Sequence, residues 1–327
     1  MGKFCVKVTL LFVFIWFPQR QLSHAQDVEV IKWPGYRPPA EVVLDARSAA
    51  MGGTSLGAAG SPALGYVHPA GMAFLNHGGL SGSYLNWIAD ISHYGGAAGL
   101  RLGRYNTLGV LYRAIDYGEL TAAIEPDYRS ETIRPLINEM SIISAREFGA
   151  GLAMAGQLHY NWQQPSYFWG FKSSRISDNL ALSLGMIVQS FWNDLNIGLS
   201  YRHIPFTSQY EDRHRSRMLQ MSMTVDILQV LHPILVTEHS SLTLATDWVS
   251  YQVDDDEVRL GLEYGFWDHL FGRAGYQFDD DFAKRARWSW GAGIDISIPG
   301  MHLQCDYAYR DLVYWEPVHW LSLNLVW

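Results

Sequence analysis

The sequence predicts an all-β fold: a transmembrane antiparallel β-barrel of about fourteen strands with a short N-terminal plug segment. Three observations predict it. The N-terminus reads as an export signal, long stretches alternate apolar with polar residues, and the connections between those stretches sort by length.

The export signal comes first in the chain. Lys3 and Lys7 give a positive start, residues 8–17 are apolar, and Ser23 and Ala25 set small residues at the −3 and −1 positions of a cleavage site. Such an apolar run matches the roughly 7–15 residues of a secretory signal and falls short of the about 20 needed to span a bilayer as a helix. Residues 1–25 are therefore expected to be removed as a signal peptide, with residues 26–77 a periplasmic or plug segment and 78–327 the barrel. No cysteine follows the apolar run at the lipoprotein position, so no lipid anchor is expected. Cleavage removes Cys5 and leaves Cys305, which excludes an intramolecular disulfide framework. The 24 basic against 32 acidic residues give a net charge of −8, the wrong sign for a nucleic-acid partner. Trp, Tyr and Phe number 13, 18 and 14, yet no second apolar run is long enough for a membrane helix. A barrel reconciles these facts, because only alternate residues of each strand meet lipid.

The alternation is clearest near the C-terminus. From Glu257 to Phe266 one face carries Val258, Leu260, Leu262, Tyr264 and Phe266, and the other Glu257, Arg259, Gly261, Glu263 and Gly265. Residues 288–298 and 301–310 repeat the pattern. A strand has period 2, so each stretch presents an apolar face and a polar or glycine face. These runs have the length of about 9–11 residues that a tilted membrane strand needs. Similar stretches occur at 180–188, 195–201, 219–227 and 242–248. Weaker ones occur at 80–86, 98–102, 108–114, 148–154, 167–171 and 274–278, and the last lies at 321–327. The connections then alternate. Residues 104–106, 192–194, 267–269 and 299–300 make short turns on one side, while 118–145, 206–217, 254–256, 279–287 and 311–317 are long or charged and lie on the other. The connection around His232 and Pro233 is long on the short-turn side. Bacterial barrels show this division between periplasmic turns and extracellular loops. The expected location is the outer membrane.

Two further segments stand out. Leu321, Leu323, Leu325 and Trp327 share one face of the last strand, and an aromatic residue closing such a strand is the usual signal for the barrel assembly machinery. In the longest outward connection, Ile133, Leu136, Ile137 and Met140 form an apolar run, which reads as a partner-binding loop.

Before the first strand lie Arg47-Ser-Ala-Ala-Met51-Gly52-Gly53 and Ser61-Pro-Ala-Leu-Gly-Tyr-Val-His68-Pro69-Ala-Gly71. Ala63 to Ala73 reads as a short helix broken at Pro69 and Gly71 and lodged in or under the barrel. With Ala89-Asp90 and Asp116-Tyr117-Gly118 further on, these segments resemble the PorV/PorQ family, itself similar to FadL-type outer-membrane transporters. The likeness covers nearly the whole mature chain. His68 departs from the family's usual Asn, a residue that turns the backbone more readily.

The resemblance implies one of two jobs. PorV/PorQ-like proteins serve the type IX secretion system, handling secreted cargo at the cell surface. FadL-like proteins move hydrophobic small molecules. The motif set favours the first, with outer-membrane lipid, the assembly machinery, and secreted cargo or secretion-system proteins as the expected partners. No enzyme is expected, since the sequence holds no Gly-x-Ser-x-Gly elbow, zinc motif or phosphate loop. No cofactor or metal is expected either. The acidic runs 254–256 and 279–281 read as solvated loops.

Overall fold

Strand β14 (Glu257–Phe266) shows which side of the sheet is which. Its residues alternate buried and exposed along the whole length, with Glu257, Arg259 and Glu263 buried and Val258, Leu260, Leu262, Tyr264 and Phe266 exposed. A water-soluble sheet would bury the second set. A sheet with charge inside and apolar side chains outside is built for lipid outside and a polar interior.

A computed structural model describes residues 42–56, 60–124, 129–149, 151–163, 167–168, 171–172, 177–190, 195–206, 217–228, 240–252, 256–279, 288–312 and 315–327. The chain divides into two units, Met1–Tyr36 and Arg37–Trp327, and all described residues belong to the second. The expected signal segment, residues 1–25, lies outside the described residues.

Fourteen strands close into one antiparallel barrel. In chain order they are β1 (Gly78–Asn86), β2 (Ser92–Leu102), β3 (Asn106–Asp116), β6 (Leu136–Glu147), β7 (Leu152–Gln163), β10 (Ser177–Gln189), β11 (Asn196–Pro205), β12 (Met218–Asp226), β13 (Ser240–Tyr251), β14, β15 (Leu270–Asp279), β16 (Trp288–Ile298), β17 (Met301–Leu312) and β18 (Trp315–Val326). The first and last strands pair, from Gly79 with Val326 to Asn86 with His319, and so remove both sheet edges. Closure is required because hydrocarbon offers no partner to a bare N–H or C=O. The tight connections keep to one end. Gly103 and Gly300 take positive φ there, and Trp267 and Asp268 turn the β14–β15 hairpin with φ of 54° and 59°, the left-handed pair that matches strand twist.

Two hairpins stand apart from the barrel: β4 (Leu120–Ile124) with β5 (Arg129–Ile133), and β8 (Tyr167–Phe168) with β9 (Phe171–Lys172). They correct the strand assignment. The expected strand at 167–171 is the second hairpin, outside the barrel. The weak stretch at 148–154 is largely the turn leading into β7. The expected loop 118–145 contains a missed strand, β6. Leu136, Ile137 and Met140 therefore belong to the barrel wall, with Met140 on its exposed outer face. Only Ile133 stays in the connection, at the end of β5. Three of the four residues of the apolar run thus lie in a wall strand and not in a loop.

The interior holds residues 42–56 and 60–75. Helix α1 (Ala46–Ala50) is capped by Asp45, whose carboxylate accepts from Ser48 N at 2.9 Å. Two 3₁₀ segments follow, Pro62–Tyr66 and Pro69–Phe74. The break between them falls at Val67 and His68, with Pro69 opening the second segment as its fixed φ favours. Gly71, expected to break a helix, instead continues the second segment. A side chain there would overlap the Leu64 side chain of the first segment, so glycine lets Leu64 pack directly on the second segment.

Candidate functional site

The plug meets the wall through hydrogen bonds spread around the barrel. On one side, Ala46 N donates to Ser322 Oγ at 2.8 Å and Trp320 Nε1 donates to Val43 O at 2.9 Å. Across the barrel, Ser55 N donates to Asp247 Oδ2 at 2.8 Å, and the hydroxyls of Ser55 and Ser222 lie 2.6 Å apart. Arg202 on β11 donates to the carbonyls of Tyr66 and Val67 at 2.6 and 3.1 Å. Arg259 on β14 donates to Gly53 O at 2.8 Å, and Gln277 on β15 to Gly52 O at 2.7 Å. The plug has little regular structure, so its backbone groups have few partners of their own. Wall side chains supply them, as a buried backbone requires.

A chain of charges ties α1 to the wall. Arg47 Nε and Nη2 donate to the two oxygens of Glu263 at 2.8 and 2.6 Å. Arg273 donates to the same Glu263 at 2.5 Å and to Asp306 at 2.7 Å. Two-pronged Arg–carboxylate pairs fix orientation as well as distance. Burial opposes the charge of Arg47, but the Glu263 carboxylate outweighs it and holds the guanidinium above its ordinary pKa.

Steric fit completes the seat. The wall offers glycines where the plug comes closest. A Cβ on Gly275 would lie 1.9 Å from Gly52 N, and one on Gly291 would lie 2.4 Å from Ala50 Cβ. Gly109 faces Met72, and Gly185 and Gly198 face the ring of His68. The polar-or-glycine faces visible in the sequence are thus a lumen lining in two parts, charges that bond the plug and glycines that admit it.

The structure places the residues singled out in the plug and the last strand as follows. Arg47 makes the ion pair. Met51, Gly52 and Gly53 form the turn after α1 with φ of 73° and 87° at the glycines, and both Gly carbonyls are held by wall side chains. His68 precedes the second 3₁₀ segment without capping it, and its buried ring fills the gap left by two wall glycines. Burial, and then the nearby Arg202 guanidinium, push its pKa down to about 3, so it is neutral at ordinary pH. Pro69 packs on Gly185. Leu321, Leu323, Leu325 and Trp327 lie along the closing strand, with Leu321 and Leu323 exposed outward. The plug's acceptors and donors on the wall, Asp247, Arg202, Glu263 and Arg259, were legible only as polar positions on alternating strands.

Outside the barrel, β16, β17, β18, β1 and β2 form a shallow apolar groove of about 750 Å³. Tyr84, Tyr94, Ile294, Tyr307, Leu321 and Leu323 line it. Small residues such as Gly82 create the depression. Among the described residues no group of three or more His, Cys, Asp or Glu is placed to hold a metal ion.

No protein-family model and no curated protein matches this chain. Solved structures do. The toluene transporter TodX of Pseudomonas putida gives a TM-score of 0.54 at 10% identity, over 86% of this chain and 98% of that one. A FadL homologue of Pseudomonas aeruginosa gives 0.54 at 9% identity, over 87% and 98%. This chain has the FadL-type outer-membrane barrel fold. At such identities the likeness concerns the fold alone, and a fold does not fix a function.

Proposed function

We propose that this protein is a plugged outer-membrane barrel of the PorV/PorQ kind, which handles secreted cargo at the cell surface as a component associated with type IX secretion. One observation carries the choice over a flow-through channel: the plug is hydrogen-bonded to wall strands β11, β13, β14 and β18 and packs on apolar residues of β3, β6 and β10, so it fills the lumen against both polar and apolar wall. A hydrocarbon moving down that lumen would have to strip those groups of their partners. Function then falls to the rim opposite the barrel's termini, where loops on a rigid scaffold do the work. The connection between β3 and β6 is the best-built platform there. Arg134 Nε donates to the two oxygens of Asp116 at 3.0 and 3.1 Å, and Tyr117 N to Pro135 O at 3.2 Å, which clamps the base of the β4–β5 hairpin.

The second reading is a channel for hydrophobic small molecules. The fold shared with TodX and the FadL homologue supports it, as does the apolar groove on the outer wall.

A staple separates the two. In a Cys305→Ser background, Ser55→Cys with Ser222→Cys joins plug to wall, since the hydroxyls they replace lie 2.6 Å apart. Secretion predicts that the oxidised barrel still supports protease-accessible cargo on the cell surface, and that removing the β4–β5 hairpin abolishes it. A channel predicts uptake of a monoaromatic hydrocarbon that oxidation stops and reduction restores. Uptake of that kind, with surface proteins unchanged in both strains, refutes the secretion reading.

A further inference from the structure

Three inward residues on neighbouring strands form a relay. Nδ1 of His159 on β7 lies 2.7 Å from Glu139 Oε1 on β6, and Nε2 lies 2.8 Å from Ser183 Oγ on β10. Ser141 donates to Glu139 Oε1 at 3.1 Å. A carboxylate only accepts, so Nδ1 carries the imidazole proton and Nε2 is left to accept from the Ser183 hydroxyl. That is the tautomer and polarity with which an imidazole takes a proton from a serine nucleophile.

The backbone around Ser183 is irregular. The β10–β11 register shifts between Leu182 and Leu184, so Ser183 faces both Arg202 and His203. His203 takes φ of 56°, the left-handed region, and its N–H donates to Ser183 Oγ at 3.1 Å. Its ring meets His159 edge-on at 5.2 Å. Bulges and left-handed non-glycine residues concentrate where a fold re-aims a group for function. Here the re-aimed N–H holds the serine oxygen itself, which together with the His159 contact fixes the orientation of the Ser183 hydroxyl.

Unsatisfied polar atoms lie beside the relay. Gln157 pairs with Ser183 and Asn161 with Glu139 in the strand registers. Gln157 Oε1 and both amide atoms of Asn161 are buried without a hydrogen-bond partner. A polar ligand in the lumen would satisfy them.

We propose that Ser183 is a nucleophile for acyl transfer, with His159 as its base and Glu139 as the positioning residue, acting on a carboxylic ester that carries polar groups. Ser183 Oγ bonds to the ester carbonyl carbon as its proton passes to His159 Nε2. The carbon–oxygen bond to the alcohol breaks, and Nε2 returns the proton to the leaving oxygen. Water then cleaves the acyl-serine through the same relay and releases the carboxylic acid.

Ser183 and His159 are fully covered in this structure, so the probe must be small. Folded full-length barrel is treated with diisopropyl fluorophosphate and mapped by mass spectrometry. It is also assayed on p-nitrophenyl esters of short hydroxy acids. We expect Ser183 as the labelled serine and loss of label in Ser183→Ala. Ester turnover should fall by at least about 100-fold in Ser183→Ala and His159→Gln. Glu139→Gln should lower it about tenfold and Glu139→Asp restore most of the loss, which a purely structural carboxylate would not produce. Wild-type heat-modifiable migration of each variant shows that it has folded. His159→Gln is used because its amide keeps a bond in the buried network. A folded wild type with Ser183 unlabelled, no ester turnover, or equal turnover in Ser183→Ala would each overturn the assignment, and none of these bears on the secretion reading.

Discussion

At the scale of single residues, the wall glycines decide whether the plug can be seated. Gly275 stands against the backbone of Met51 and Gly52, which cannot swing aside as a side chain can. Gly82 faces outward with nothing within 4 Å of a built Cβ. Gly275→Ala should therefore destabilise the folded barrel by about 3 kcal/mol or more, as overpacking against backbone does, while Gly82→Ala changes little. Urea midpoints of the two variants in lipid vesicles check the difference, and equal midpoints would remove the steric argument. His68 makes a second case. Its folded pKa of about 3 lies below the ordinary imidazole value of 6.5. The unfolded chain therefore takes up the proton first, and the stability His68 contributes above about pH 6.5 is lost as pH falls toward 3. By pH 5 the loss is at most about 2 kcal/mol. His68→Leu should show a shallower fall in urea midpoint between pH 7.5 and pH 5 than wild type. Parallel curves would mean that the ring is not shut away from water.

At the scale of elements, the strands that read clearly in the sequence are those facing polar lumen. In β14 the inward residues are Glu, Arg and Gly, so the alternation is unbroken. Strand β6 was missed for a physical reason. Its inward Ile143 packs on the plug beside Gly65, and its outward Ile142 faces lipid, so both faces are apolar at that point and the period disappears. Leu111 on β3 and Ile187 on β10 are inward apolar residues of the same kind. The hairpin at 167–172 erred the other way, since its aromatic residues imitate a strand of the wall. The plug's turn at Met51-Gly52-Gly53 was present in the sequence only as a motif of the family resemblance, and its glycines are there because consecutive left-handed residues call for glycine. Its partners were not legible. Arg47 meets Glu263 across 216 positions of sequence, and the relay of Glu139, His159 and Ser183 exists only once three strands are in register. Single-strand patterns report which way a residue faces and carry no information about what it faces.

At the scale of the whole molecule, the barrel depends on one seam. Every other neighbouring pair of wall strands is joined by a short or moderate stretch of chain, whereas β1 and β18 meet from opposite ends of the barrel sequence. Trp327 finishes the seam. Its N–H donates to Gly78 O at 3.0 Å, and its carbonyl accepts from His77 N and Gly78 N at 3.2 Å. Its ring lies over Gly78, where a Cβ would come within 2.9 Å of it. Deleting Trp327 removes three backbone bonds and the ring at once. In hydrocarbon each freed group costs several kcal/mol, less where interfacial water reaches the rim. The frayed end also leaves a sheet edge able to pair with another chain. The plug and the wall are coupled through Glu263, which accepts from Arg47 of α1 as well as from Arg273 of the wall. We expect the truncated protein to show reduced membrane levels and to lose heat-modifiable migration. Phe206→Ala, at an exposed site on the opposite rim, should leave both unchanged. Normal levels and migration of the truncated chain would mean that the eight remaining register pairs hold the seam unaided, and that the plug, bonded to so many strands, closes the barrel from within.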